Sequence, residues 1–481
     1  MANLRFGTDG VRGVANVELT PEFALALGRA VARTITAATF LVGRDTRRSG
    51  PMLQAALAAG LASEGADVVD VGVLPTPALA WLSARRSVPA AVISASHNPF
   101  ADNGIKLFAA GGLKLAAETE VAIEEELARV LDPEVKGPKP LEGHGVGRVT
   151  HEFDLGDAYL EYLTGAIDGR TLDGLRIVVD SAHGAGSALA ARLYESLGAE
   201  VIAIGNEPDG SNINAGCGST STETLATAVV EHRAHLGLAL DGDGDRLLAV
   251  DGDGRLVDGD ELIALFALDL AEQGQLAGNT VVVTVMTNLG FRIAMDQRNI
   301  LVKETPVGDR HVLSALDKDG LALGGEQSGH IIFRRLATTG DGLLTGLVLA
   351  DLVARQGRPL AELLDGLVVQ VPQVLLNVRV EDPSLLEGAE VVWGAVREEQ
   401  ENLADRGRVL LRPSGTEPLI RVMVEAAEGT ENDPAEAIAQ RLATLVEYEL
   451  HQLSVAASLA AAEAEAKEAD DSASSVVVFE A

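Results

Sequence analysis

Short runs of β-branched and apolar residues alternate along the chain with longer Ala/Leu-rich stretches of helical period. Most of the short runs end in a turn rich in Gly, Asp or Pro. That alternation is the pattern of βαβ units, and it restricts the chain to α/β layers in which helices cover largely parallel strands. The periodicity predicts strands at 39–42, 67–71 and 90–94, with helices over 21–37, 51–64 and 76–86. A second set has strands at 176–180, 200–204 and 236–240, a helix around 187–197 and a hairpin across 246–259. A third has helices at 260–273 and 341–356 and a strand at 280–284. From about 369 the pattern changes to strands at 371–380, 408–411 and 420–425 with helices at 386–403 and 434–452, the signature of a smaller α+β domain.

At 481 residues the chain is too long for one core. The expected domains are 1–147, 148–257, 258–368 and 369–453, with the Pro/Gly-rich stretch 132–147 as a linker. The Ala/Glu/Ser-rich segment 454–481 reads as a helix extension fraying into a disordered tail. Aromatic residues are only 3% of the chain, so Ala, Val, Leu and Ile must build the cores. The formal net charge of −33 argues against nucleic acid or an anionic membrane as the main partner. Any anionic ligand must then be held locally. Arg29 and Arg33 interrupt the apolar stretch 23–42, and residues 1–10 lack an apolar signal core, which leaves the cytoplasm as the expected location. Cys217 is the single cysteine, so it forms no intrachain disulfide.

Four motifs carry chemistry. Ser94-Ala95-Ser96-His97-Asn98-Pro99 follows the strand at 90–94 and is followed by Asp102-Asn103-Gly104-Ile105-Lys106. A covalent carrier needs an exposed hydroxyl at a strand end with donors and an acid or base nearby. Here Lys106 can act as cation or proton donor and His97 can orient the loop. Spacing alone does not choose between Ser94 and Ser96. Asp241-Gly242-Asp243-Gly244-Asp245-Arg246 places three carboxylates at alternate positions, able to fold onto one hard cation. An EF-hand also starts this way, but its sixth position would be Arg246 and its twelfth Gly252, so that reading fails. The later run Asp251-Gly252-Asp253-Gly254 reads as an exposed acidic turn. Gly324-Gly325-Glu326-Gln327-Ser328-Gly329-His330 offers the close-spaced polar groups that a sugar's hydroxyls require. Arg412-Pro413-Ser414-Gly415-Thr416-Glu417-Pro418 with Arg421 supplies two guanidinium groups, two hydroxyls and an amide that can cradle a phosphate dianion. Those cations sit where a ligand's charge would be, which reconciles a phosphate site with a strongly acidic chain.

These strings, in this order, resemble the α-D-phosphohexomutase superfamily over nearly all of residues 4–450. The resemblance implies three similar α/β domains with mixed sheets plus a smaller α+β C-terminal domain around a central cleft. It makes Ser96 the phosphoserine, and it makes Asp241, Asp243 and Asp245 the ligands of one Mg2+ that also contacts the Ser96 phosphate. Arg12, in Phe6-Gly7-Thr8-Asp9-Gly10-Val11-Arg12-Gly13, would contact the phosphoryl group, Arg246 would be a further catalytic residue, and Lys106 and His330 would move protons beside His97. Glu326 and Ser328 would bind sugar hydroxyls, Gly308, Asp309 and Arg310 would form a substrate-facing loop, and Arg412, Ser414, Gly415, Thr416 and Arg421 would bind phosphate. Ser94, Gln327, the run from Asn212 to Gly218 and Thr338-Thr339-Gly340-Asp341-Gly342 look more like the phosphoglucosamine mutases than the phosphomannomutase/phosphoglucomutase branch. That implies conversion of glucosamine 6-phosphate to glucosamine 1-phosphate through a glucosamine 1,6-bisphosphate, by a monomer or homodimer whose partner is a hexosamine phosphate. Arg334-Arg335, where an acidic residue is expected, and Ser181-Ala182-His183-Gly184 depart from the pattern. A mutase for mannose or glucose phosphates, or a silent sugar-phosphate sensor, are the competing expectations; a sensor would be expected to have lost Ser96 or an aspartate.

Overall fold

The computed structural model describes residues 4, 6–7, 10–414, 418–427 and 434–474, with side chains through 459 except at 434. It divides into two compact units, 1–287 with 293–368 and 288–292 with 369–481.

Three sheets follow one another in the first unit. The first contains β1 (Val11–Val14), β2 (Thr39–Arg44), β3 (Asp67–Val73), β4 (Ala90–Ile93), β5 (Asp102–Ala109), β6 (Leu113–Lys114) and β7 (Val149–His151), in the order β1-β5-β4-β2-β3-β7 with β6 on β5. Strands β4, β2, β3 and β7 run parallel, and β5 turns back antiparallel to β4. Helix Pro21–Thr34 starts where Thr20 Oγ1 accepts from Phe23 N–H at 3.2 Å, with proline in its first turn. Its Phe23, Leu27 and Val31 pack with Phe40, Leu57 and Ile105 into one aliphatic core. β7 lies beyond the expected boundary at 147, yet it pairs with β3, so the segment after the Pro/Gly-rich stretch returns to the first sheet.

The second sheet has β8 (Arg176–Asp180), β9 (Glu200–Ile204), β10 (Leu236–Leu240), β11 (Leu247–Asp251) and β12 (Leu256–Val257), in the order β12-β11-β10-β8-β9. The third has β13 (Thr280–Thr284), β14 (Leu301–Thr305), β15 (Leu323–Gly325) and β16 (Ile331–Phe333), in the order β14-β13-β15-β16. Both keep a parallel centre (β10, β8 and β9; β14, β13 and β15) and end in an antiparallel return, β10 to β11 and β15 to β16. The turn between β11 and β12 is only in part the exposed acidic turn expected: Gly252 and Asp253 are exposed, but Asp251 is not. Asp251 is buried, accepts from Asp253 N–H and Arg255 N–H, and pairs with the Arg255 guanidinium at 3.1 Å.

In the second unit β17 (Gln373–Arg379), β18 (Gly407–Pro413) and β19 (Leu419–Ala426) form an antiparallel sheet with β19 central. Helices Glu390–Leu403 and Pro434–Ser474 cover it. The last helix runs through Ser474 as one element, where the sequence suggested fraying after 453. No described helix is long and apolar enough to cross a membrane.

Candidate active site

The three sheets of the first unit repeat one device. A strand of the parallel centre ends, a short loop follows, and the chain returns antiparallel: β4 into β5, β10 into β11, β15 into β16. The serine, aspartate and glutamate motifs are those three loops. The carboxyl ends of parallel strands are where α/β sheets leave room for ligands, because the neighbouring chain departs there.

Ser96 sits just past β4, only 1% exposed and at φ +52°, a left-handed conformation that an L-residue adopts at a cost of ~1–3 kcal/mol. Its surroundings enforce that geometry. Ser96 N–H donates to Ser94 Oγ at 2.9 Å, and Ser94 Oγ donates to Asp45 at 2.6 Å. Arg47, fully buried and paired with Asp45 at 2.8 Å, donates to the carbonyls of Ser96 and Asn98, both at 2.8 Å, and to that of Asp102 at 3.1 Å. Asn214, from the second domain, donates to the Ser96 carbonyl at 2.9 Å. The loop is held by its backbone, which leaves the Ser96 hydroxyl for chemistry.

That hydroxyl donates to Asp241 Oδ2 at 2.5 Å and lies 3.2 Å from His97 Nδ1. Burial, with Arg246 and Arg12 nearby, pushes His97 down to about 4, so its ring is neutral near pH 7. Gly242 permits the approach of the two loops: a Cβ there would meet the Ser96 carbonyl oxygen at 2.6 Å and Asn214 Nδ2 at 2.8 Å. Asp241, Asp243 and Asp245 are all buried, with one oxygen of each within 4.8 Å of the others. Burial and the charges of Asp245 and Asp243 hold Asp241 well above the usual carboxylate range. Lys106 and His330 keep Asp245 below it despite burial. Oδ1 of Asp243 and Oδ1 of Asp245 are buried without a hydrogen-bond donor among the described residues. Buried carboxylate oxygens without donors, converging with a third carboxylate, fit a hard divalent cation.

Lys106 is on β5, opposite Val92, where the sequence was read only as a turn-bounded motif. Ile105 and Leu107 face the core, so Lys106 points to the other side, 2.7 Å from Asp243 Oδ2 and 3.3 Å from Asp245 Oδ2. Thr76 also donates to Asp243, at 2.6 Å. Arg12 reaches Asn98 Oδ1 at 3.4 Å, and Arg246 Nε is 3.8 Å from Asp245. Lys106 and Arg246 thus lie against the carboxylates and Arg12 against the serine loop, a suitable environment for a phosphoryl dianion.

In the third domain, Glu326 Oε1 accepts from Gly308 N–H at 2.9 Å, which joins the sugar motif to the 308–310 loop. Ser328 is exposed. Gly329 takes φ +90°, and a Cβ there would meet the Leu247 carbonyl oxygen at 2.2 Å, so the sugar motif lies against the end of the aspartate loop. His330 is buried, 3.7 Å from Asp245 and 3.5 Å from Asp309. Burial lowers its basicity, but the nearby carboxylate charges of Asp245, Asp309 and Glu326 prevail and raise it. Gly340 N–H donates to its Nε2 at 3.0 Å, so the neutral ring carries its proton on Nδ1, facing Asp245.

Asp341 caps helix Gly342–Gln356, accepting from Leu344 N–H at 3.0 Å and from the Tyr159 hydroxyl at 2.6 Å. The start of that helix braces the metal loop through Gly342 N–H to the Gly244 carbonyl at 2.9 Å. Burial pushes Asp341 up to about 6, above the ~3.9 of an unfolded aspartate. The folded state therefore binds this proton more tightly. Its contribution to stability is fully present below pH ~4 and is lost as pH rises through about 6. Asp341→Asn, which keeps a capping oxygen, removes that loss. In chelator-treated protein its melting temperature relative to wild type should be higher at pH 7.5 than at pH 4.5, by an amount equivalent to at most ~3 kcal/mol. A difference independent of pH would contradict this.

In the second unit, Arg412 on β18 and Arg421 on β19 are direct cross-strand partners. Like charges opposite each other in a sheet repel, which suits an anion shared between them. Ser414 N–H closes the hairpin onto the Leu419 carbonyl at 2.9 Å. Gly415 and Thr416 lie outside the described residues. Cys217 is buried, and burial with the Asp180 charge pushes its thiol up to about 11, so it is no nucleophile.

Sequence reasoning missed Asp45, Arg47 and Thr76. For Asp45 and Arg47 the signal was present: Asp45-Thr46-Arg47 lies three residues past the strand expected at 39–42 and directly after the observed end of β2, the same strand-end position as the other motifs.

Known proteins agree with this architecture. Four family descriptions match in order: phosphoglucomutase/phosphomannomutase alpha/beta/alpha domain I at 3–133, domain II at 157–254, domain III at 258–371 and the C-terminal domain at 375–444. A phosphoglucosamine mutase of Saccharopolyspora erythraea is 54% identical over 449 residues, covering 92% of this chain and 98% of that protein. One from Mycolicibacterium paratuberculosis is 53% identical, covering 92% and 97%. Among solved structures, a phosphoglucomutase/phosphomannomutase family protein from Burkholderia thailandensis aligns with a TM-score of 0.75 at 26% identity, covering 93% of this chain and 97% of that one. The N-acetylphosphoglucosamine mutase of Aspergillus fumigatus, solved with GlcNAc-6P and magnesium, shares the fold with a TM-score of 0.66 at 19% identity, covering 93% and 96%. The chain belongs to the phosphoglucomutase/phosphomannomutase family, the α-D-phosphohexomutases, and is similar within it to bacterial phosphoglucosamine mutases.

Proposed function

We propose that the protein is a cytoplasmic phosphoglucosamine mutase that interconverts glucosamine 6-phosphate and glucosamine 1-phosphate by way of a phosphorylated Ser96. The observation that carries this reading is the Ser96 hydroxyl, 2.5 Å from Asp241 within a cluster of three buried aspartates. Asp241, Asp243 and Asp245, with the Ser96 phosphate, would hold Mg2+, which would supply charge neutralisation at the phosphoryl group.

The side chains divide the work. Ser96, strained and backbone-clamped, carries the phosphoryl group. Arg12 and Arg246 bind its oxygens. Glu326 and Ser328 hold the sugar ring, beside the loop of Gly308, Asp309 and Arg310. Arg412, Ser414, Gly415, Thr416 and Arg421 grip the phosphate that is not being transferred. In the forward half-reaction the sugar's 1-hydroxyl oxygen bonds to phosphorus as the Ser96 Oγ–P bond breaks. Lys106 and His330 handle the hydroxyl proton, with His97 oriented on Ser96. The resulting glucosamine 1,6-bisphosphate turns by half a revolution. Ser96 Oγ then takes the phosphoryl group from O6, leaving glucosamine 1-phosphate and the phosphoenzyme. Positioning and electrostatics provide most of the acceleration, since phosphoryl transfer asks little covalent work of the protein beyond the carrier itself.

The substrate assignment is tested by comparing kcat/KM for glucosamine 6-phosphate with mannose 6-phosphate and glucose 6-phosphate. A preference of at least ~10-fold for the amino sugar is expected, the scale on which one polar contact discriminates substrates. Equal or reversed preference would reassign the sugar and leave the phosphoserine chemistry in place.

A further inference from the structure

The β5–β6 hairpin pairs Phe108 with Lys114 and Ala109 with Leu113. Cross-strand partners share a face, and so do residues two apart on one strand, so Lys106, Phe108 and Lys114 project from the same side. Lys106 reaches the aspartates. Lys114 Nζ reaches Asp309 of the third domain, 2.7 Å from Oδ1 and 2.6 Å from Oδ2, with both side chains mostly buried. Six residues on, Glu120, in the first turn of helix Ala117–Leu131, receives the Arg310 guanidinium in a two-pronged pair, Nη1 to Oε2 at 2.8 Å and Nη2 to Oε1. The preceding residue, Gly308, donates its N–H to Glu326. Three consecutive residues are therefore tied to three different segments, and the loop cannot shift without breaking a desolvated ion pair.

We propose that Lys114 and Glu120 are positioning residues for the transfer reaction. Through Asp309 and Arg310 they hold the 308–310 loop, and with it Glu326, in register with Ser96. A single hairpin then fixes both the cation among the aspartates and the loop that faces the sugar. Neither residue touches the reacting atoms. Their effect falls on orientation of the acceptor hydroxyl, where a displacement of about 1 Å costs ~100-fold in rate. The inference rests on the function proposed above.

The test uses the full chain with Lys114→Met, Glu120→Gln and Lys114→Arg. With glucosamine 6-phosphate, Lys114→Met should lower kcat ~10–100-fold with KM within about threefold, and Lys114→Arg should recover most of the loss. Transfer of the Ser96 phosphoryl group to water in the absence of sugar should be unchanged, because the aspartates and Lys106 are intact. A kcat within twofold of wild type, or equal slowing of transfer to sugar and to water, would overturn the proposal. Hydrogen exchange across 305–313 needs no substrate and should quicken in Lys114→Met and Glu120→Gln. Unchanged exchange in both refutes the positioning role whatever the wild type turns over, whereas a wild type inactive on glucosamine 6-phosphate rejects the proposed function alone.

Discussion

Ser96→Ala should abolish mutase turnover, by on the order of 10⁴-fold or more, while sugar-phosphate affinity stays within a few-fold of wild type. The asymmetry follows from where the groups lie. Ser96 is the hydroxyl that donates to Asp241, and its loop is fixed by Asp45, Arg47, Ser94 and Asn214 acting on backbone and neighbours rather than on its Oγ. Removing one oxygen leaves that scaffold standing. Alanine also inherits the left-handed conformation at φ +52° without new strain relative to serine. Residual turnover above about one part in a hundred would mean another nucleophile carries the phosphoryl group. Ser94 is the sequence's other candidate, but its hydroxyl is already committed to Asp45.

The second large effect belongs to the aspartates. Asp243→Ala should weaken divalent-cation binding by more than the ~10–100-fold that follows loss of an outer hydrogen-bond partner of a metal ligand. It should also lower kcat by on the order of 10³-fold at cation levels that saturate wild type. Asp243 takes Lys106 at 2.7 Å and Thr76 at 2.6 Å on Oδ2, which leaves Oδ1 buried without a donor among the described residues. A carboxylate oxygen kept dry and unbonded is costly unless a cation takes it. Cation titration against a fluorescent chelator, with activity measured in parallel, checks both numbers. Undiminished affinity would place the cation elsewhere.

Much of this architecture was legible because period and punctuation agreed. The strands at 200–204, 236–240 and 280–284 lie where alternating and apolar runs placed them, each flanked on at least one side by a Gly, Asp or Asn turn. The motifs could be read because each is contiguous and sits at a strand end. Other parts depend on pairing that no local pattern records. β5 looked like an extension of the serine loop because Asp102, Asn103 and Gly104 have turn chemistry, yet its register against β4 turns Lys106 toward the aspartates. β7 is three exposed residues whose strand state exists only because β3 offers an edge. Asp251 was misread for a related reason, since its burial depends on Arg255 pairing with both Asp251 and Glu261. Lys114 and Glu120 are unremarkable in sequence, and their ties to Asp309 and Arg310 span some 190 residues of chain.

The most direct test is intact-mass analysis of the purified protein with the modified residue mapped, before and after glucosamine 6-phosphate is added to a sub-stoichiometric level of bisphosphate-free enzyme. A fraction of molecules heavier by one phosphoryl group, with the group on Ser96 and lost to the sugar on mixing, is the predicted result. A phosphoryl group found on a different residue, or one on Ser96 that substrate leaves untouched while turnover proceeds, would contradict the account.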